Sequence, residues 1–300
     1  MPHALRRTAF TLVETLVVIA ILGTLVGLTA GGVQRVRAAA ARTQCLNNLR
    51  QLGLAGQQHV AATGSFPTGV TDGNGKDPLR DLGWMPRLLP YVEQDELWRL
   101  TLAAFAKTPF RGNFTKHPCD RILTLAKCPA DPRSGDFHAD PAKYGGAAVA
   151  LSSYLGVNGT AAARENGVLF SDSRVRPAEI TDGTSNTLLL GERPPSPDRF
   201  WGWWYASWGN DGRGTLDLLL GAKELNWGGF YAGTCDTGFV PFGPGKIDNP
   251  CDTFHFWSMH SGGAHFALCD GSVRFIRYSA ADILPQLATR AGGETASVPD

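Results

Sequence analysis

Across 300 residues, 28 Lys and Arg stand against 27 Asp and Glu, and a net charge of +1 gives no basis for a nucleic-acid partner. Charged residues make up 18%, hydrophobic residues 43% and aromatic residues 10%, with 36 Gly and 19 Pro. This composition excludes a disordered chain, a coiled-coil rod and a polytopic membrane protein, and it predicts many turns around an aromatic-rich core.

The first predicted element is a long apolar helix. Arg6 and Arg7 precede a hydrophobic run that opens at Phe10, and the twenty residues from Thr15 to Gln34 carry no charge. At about 1.5 Å per residue these span about 30 Å, the thickness of a bilayer's hydrocarbon core. A secretory signal would have a shorter apolar core followed by a small-residue cleavage site, for which Gly27 to Gly31 is the nearest candidate. The length of the run and the presence of Glu14 near its start argue for an anchor instead. A carboxylate in a membrane segment is costly and calls for a positive partner at the same depth. A cut between Ala9 and Phe10 supplies one, because it frees an α-amine four residues before Glu14, at the positive end of the helix dipole.

At this point the chain resembles a type IV prepilin or pseudopilin, on Arg6-Arg7-Thr8-Ala9, then Phe10-Thr11-Leu12-Val13-Glu14, then the apolar helix. The resemblance implies removal of residues 1–9 by a prepilin peptidase, methylation of Phe10, and pairing of Glu14 with the amine of a neighbouring subunit. Ala9 stands where that family usually has Gly. Arginines flank the span on both sides (Arg6 and Arg7 before, Arg35, Arg37 and Arg42 after), so charge alone does not orient it. The resemblance implies an N-terminus inside the cytoplasmic membrane and a head outside it.

Beyond Arg35 the pattern stays helical and becomes amphipathic, with Val33, Val36, Ala40, Leu46, Leu49, Leu52, Gly56 and Val60 broadly on one face. Gly64 and Pro67 end it. The expected organisation is a leader at 1–9, a transmembrane half-helix at 10–29, its amphipathic continuation at 30–62, and an α+β head at 63–300. Within the head, a helix is expected over Glu93 to Lys107, with Leu97, Leu100, Leu102 and Phe105 available to a core. Strands are expected over Phe200 to Trp208 and His265 to Ile276. In the second, Asp270-Gly271 between apolar alternations is a hairpin signal.

Several phrases resemble a large bacterial family of prepilin-like proteins with a C-terminal domain of unknown function. Its mark is His, nine residues, then Asp-Gly, found here as His260 and Asp270-Gly271. Cys45 to Leu49, Gly64 to Pro67, Cys128 to Pro132, and Ile180 to Thr187 with Glu192 match in order along the chain. Two readings of the signature stand: His260 and Asp270 pair through a hydrogen bond or shared cation, or Asp270-Gly271 forms the turn and His260 fixes a nearby loop. No Glu or Cys spacing beside His255, His260 and His265 completes a zinc set.

No resident metal or cofactor is expected; Asp182 with Asn186, and Asp248 with Asp252, offer oxygens suited to calcium, but Asx side chains more often cap local turns. Phe200, Trp201, Trp203, Trp204, Tyr205 and Trp208 form either a buried strand or an exposed face for stacking on sugars or a subunit. No nucleophile elbow, P-loop, HExxH or dinucleotide motif is present, and the expectation is a non-enzyme. With the head outside, Cys119–Cys128 and Cys235–Cys251 are the expected disulfides, leaving Cys45 and Cys269 free or in the core. The partners expected are the membrane, a prepilin peptidase and other pilin-like subunits of a secretion or type IV pilus-like assembly. The alternative is a tethered glycan- or cation-binding module that does not polymerise.

Overall fold

Thr11 opens a helix of 52 residues, α1 (Leu12–Thr63), in the computed structural model, which describes residues 11–72, 77–161, 164–207, 213–226, 228–229 and 231–294. Ala9, Phe10 and Trp208 lie outside the described residues. Thr11 and Glu14 form a reciprocal cap: the Glu14 amide donates to the Thr11 hydroxyl at 3.3 Å, and the Thr11 amide donates to the Glu14 carboxylate at 2.8 Å. At the far end Gly64 takes the left-handed conformation (φ 84°) and its N–H reaches the Val60 carbonyl, closing the helix where the sequence expects.

The helix has two distinct halves. From Leu12 to Val26 its large apolar side chains are exposed, and the apolar segment is long enough to cross a membrane by length and composition. Val33 and Val36 are exposed as well, so the predicted amphipathic face does not meet the head that early. Full burial begins at Cys45, and Cys45, Asn48, Leu49, Leu52, Gly53 and Gly56 form one buried stripe. Their spacing of three and four residues lays them along one side of the helix.

That stripe rests on a five-stranded sheet with strands β1 (Tyr154–Val157), β2 (Leu188–Glu192), β3 (Leu219–Leu220), β6 (Gly263–Leu268) and β7 (Val273–Arg277), in the order β3-β1-β2-β6-β7. All neighbours are antiparallel except β1 and β3. A separate two-stranded ribbon joins β4 (Lys223–Asn226) to β5 (Gly238–Pro241). The fold is α+β, as expected, with short helices α2 (Trp84–Arg87), α3 (Asp95–Lys107) and α4 (Leu284–Leu287) around the sheet. Both faces of the sheet are covered, because Ala267 joins the core under α1 while Ala264, Phe266 and Leu268 join a second core behind it. Full burial of β6 follows, and its sequence accordingly reads as nearly continuous apolar residues.

Two expectations are corrected in part. Over Phe200 to Ser207 there is no ladder, only single-residue bridges from Trp203 to Leu151 and from Ala206 to Leu82. Gly202, at φ 108°, bends the chain out of strand geometry, and Trp201, Trp203, Trp204 and Tyr205 fill the interior instead. On α3, Leu97 and Phe105 are buried with Thr101, whereas Leu100 and Leu102 face outward.

The hairpin of β6 and β7 turns at Asp270-Gly271, as expected. Asp270 accepts a hydrogen bond from the Ser272 amide at 2.8 Å, and Gly271 has φ 83°. A Cβ on Gly53 of α1 would meet the Gly271 Cα at 3.3 Å, so helix and turn approach backbone to backbone. Gln57 adds a hydrogen bond to the Cys269 carbonyl. Replacing Gly271 by Ala should destabilise the head by about 1–2 kcal/mol through the left-handed backbone alone. Urea unfolding checks this, and an unchanged midpoint would count against the account.

A buried sulfur, imidazole and carboxylate cluster

Four segments distant in sequence meet at the point where α1 crosses the sheet. Glu192 ends β2, and the β2–β6 pairing, with Gly191 opposite Phe266, brings His265 beside it. The His265 amide and Nδ1 lie 2.7 and 3.1 Å from Glu192 Oε2, which is thereby doubly satisfied. Glu192 Oε1 has no hydrogen-bond partner although it is buried. His260, on the loop before β6, places Nε2 3.5 Å from that oxygen and 3.7 Å from Cys128 Sγ. The loop is held by Ser258, whose hydroxyl donates to the Gly263 carbonyl at 2.7 Å and accepts from the His260 amide at 3.0 Å. His260 and His265 meet edge to face, 5.4 Å between ring centres.

Cys128 is bonded to Cys45 of α1, with 5.3 Å between their Cα atoms. This corrects the expected Cys119–Cys128 pairing. The loop around Cys128 is tied to the helix by Asn48, which donates to the Lys127 carbonyl at 2.9 Å, and to the sheet by Ser153, whose hydroxyl accepts from the Cys128 amide at 3.0 Å. Cys119 lies instead in the aromatic core as a free buried thiol. Burial, aided by the charge of Asp120, pushes that thiol up to about 12, so it stays protonated and inert. Cys269 is likewise free and buried, and Cys235–Cys251 forms as expected.

One ligand atom from each of Cys45, Cys128, Glu192 and His260 lies within 4.8 Å of every other, and all four residues are buried. The donors that no sequence spacing suggested are therefore assembled by the fold. Burial pushes the Glu192 carboxyl up, but the facing His260 imidazole and the hydrogen-bonded His265 outweigh it and hold the group down at about 2. Burial, with the Glu192 charge nearby, drives the Tyr154 hydroxyl well above its ordinary range. The cluster is suited to fastening the helix, or to holding an ion whose ligands are complete.

The signature's two ends do not meet. His260 precedes β6 and Asp270 follows it, with a six-residue strand of about 20 Å between them. Asp270 serves the turn, and His260 faces Glu192. The calcium candidates are engaged in local bonds. Asp182 accepts from the Gly292 and Gly293 amides at 2.7 and 2.9 Å, while Asn186 donates to the Asp182 carbonyl at 3.4 Å. Asp252 contacts His255 Nε2 at 3.0 Å and accepts from the Lys246 amide at 2.6 Å; Asp248 is exposed.

Sequence reasoning left Cys45 without a role and used Glu192 only as the end of a phrase. The available signal was that four of the five separated phrases matching the prepilin-like family carry Cys45, Cys128, Glu192 and His260 in turn. No curated protein matches the chain, and no solved structure matches it. The family described as a protein of unknown function (DUF1559; SBP_bac_10) matches residues 34–282, most of the chain, and the chain belongs to that family.

Proposed function

We propose that the protein is a membrane-anchored, pseudopilin-like subunit of a secretion or type IV pilus-like assembly, cut by a prepilin peptidase between Ala9 and Phe10. The observation that carries this reading is the division of α1: an exposed apolar first half, and a second half fastened to the head from Cys45 onward. An exposed apolar helix needs lipid or other helices around it, and a subunit that packs by this helix obtains both. In this reading the cytoplasmic membrane holds the anchor, the head lies outside, and the head supplies specificity. Glu14 caps its own helix start and sits where a neighbour's freed amine would meet the same carboxylate.

Mass spectrometry of the mature chain should find methylated Phe10 at the N-terminus. A chain that begins at Met1, or near Gly31, would remove the prepilin route. Glu14→Ala should leave membrane insertion intact and reduce incorporation into assemblies. Unchanged incorporation would favour the tethered module instead. For that alternative Trp201, Trp203, Trp204 and Tyr205 offer no sugar-stacking face, being each 5% exposed or less, while Phe200 is half-buried.

A further inference from the structure

We propose that Cys45, Cys128, Glu192 and His260 bind a thiophilic divalent cation of the zinc class when the Cys45–Cys128 bond is reduced, so that the helix is fastened to the head by a disulfide in one state and by a metal in the other. The donor set is two sulfurs, one imidazole and one carboxylate, four ligands each of a type that zinc takes and the number a tetrahedral site needs. Calcium would need six or more oxygens at about 2.3–2.6 Å, and one carboxylate cannot supply them.

The spacing supports the same conclusion. His260 Nε2 lies 3.5 Å from Glu192 Oε1, an ion-pair separation too long for a good N–H···O bond, and 3.7 Å from Cys128 Sγ, within reach of a weak hydrogen bond to sulfur. With metal–ligand bonds of about 2.0–2.3 Å, the edge of a tetrahedron is about 3.3–3.8 Å, so these are the separations two ligands of one ion would have. A second observation is independent of the spacing. Glu192 Oε1 is buried without a hydrogen-bond partner, while Oε2 is held by both the amide and the ring of His265. One oxygen is fixed by an outer group and the other is left facing the sulfurs and His260, as in ligands oriented by a supporting shell.

The two states exclude each other, because sulfurs bonded to one another are not thiolates. Reduction by a dithiol breaks the Cys45–Cys128 bond with two electrons and two protons, giving two thiols, and the dithiol becomes a disulfide. Cation binding then releases the two thiol protons as both sulfurs ligate. With all four ligands supplied by the chain and buried, the ion has no open position and its role is structural.

The test uses the full chain in detergent micelles, reduced with dithiothreitol, freed of reductant without oxygen, and titrated with cobalt(II) and then zinc(II). The expected result is a single cobalt per chain with the visible bands and thiolate charge transfer of a tetrahedral site, displaced by zinc and absent from the oxidised chain. Glu192→Gln and His260→Gln should each weaken binding by about tenfold or more. The Cys235→Ser, Cys251→Ser double variant should bind as the parent does. Independently of any variant, zinc should raise the melting temperature of the reduced chain and leave that of the oxidised chain unchanged. A reduced chain that takes up no cobalt, a binding curve indifferent to both substitutions, or a reduced chain that zinc neither stabilises nor refolds overturns the proposal.

Discussion

Removing both Cys45 and Cys128 by alanine substitution should cost the metal-free head about 4.5 kcal/mol. The bond closes a long loop, since its cysteines are 83 residues apart, and the entropy that a crosslink removes from the unfolded chain grows with loop length. The Cys235–Cys251 bond spans only 16 residues, and its loss should cost about 3 kcal/mol by the same relation. The long bond also joins the helix to the head, so its loss should loosen α1 selectively. Hydrogen exchange at Gln44 to Gly56 should rise in the Cys45/Cys128 variant and change little in the Cys235/Cys251 variant. Equal exchange in both would show that the hydrophobic stripe alone holds the helix.

Glu192→Ala should cost about 3–5 kcal/mol, because it leaves two buried imidazoles without their carboxylate. The effect should depend on pH in a defined direction. The Glu192 carboxyl is held at about 2 against an ordinary 4.5, so its contribution is complete above about 4.5 and is lost as pH falls toward 2. The stability gap between the parent and Glu192→Ala should therefore be widest near neutrality and narrow in acid. A gap that does not change between pH 7 and pH 3 would place the cost in the cavity rather than in the charge.

The elements fixed by local chemistry were legible in the sequence. Gly64 ends α1, and Asp270-Gly271 turns the hairpin, because each requires a backbone that few other residues adopt. The aromatic density of Phe200 to Trp208 looks like strand alternation, whereas Gly202 turns the chain and Trp201, Trp203, Trp204 and Tyr205 pack inward. The cysteine pairing failed for a different reason. Cys119 and Cys128 are near in sequence, but the long helix returns across the sheet and delivers Cys45 to Cys128. The cluster was hidden in the same way, since helix, loop, strand end and pre-strand loop each contribute one member and no local spacing records their meeting.

The stretch of α1 between the apolar segment and Cys45 touches little of the head; Arg42, resting on the Phe275 ring at 3.8 Å, marks where contact starts. With the apolar segment in a membrane, as proposed, residues 30–41 would form a spacer of about 18 Å between the lipid surface and the globule. A rigid spacer also transmits rotation. Deleting one residue from it would swing the globule by about 100° around the rod without altering any contact inside it, so the aim of the outer surface is written in the length of this shaft.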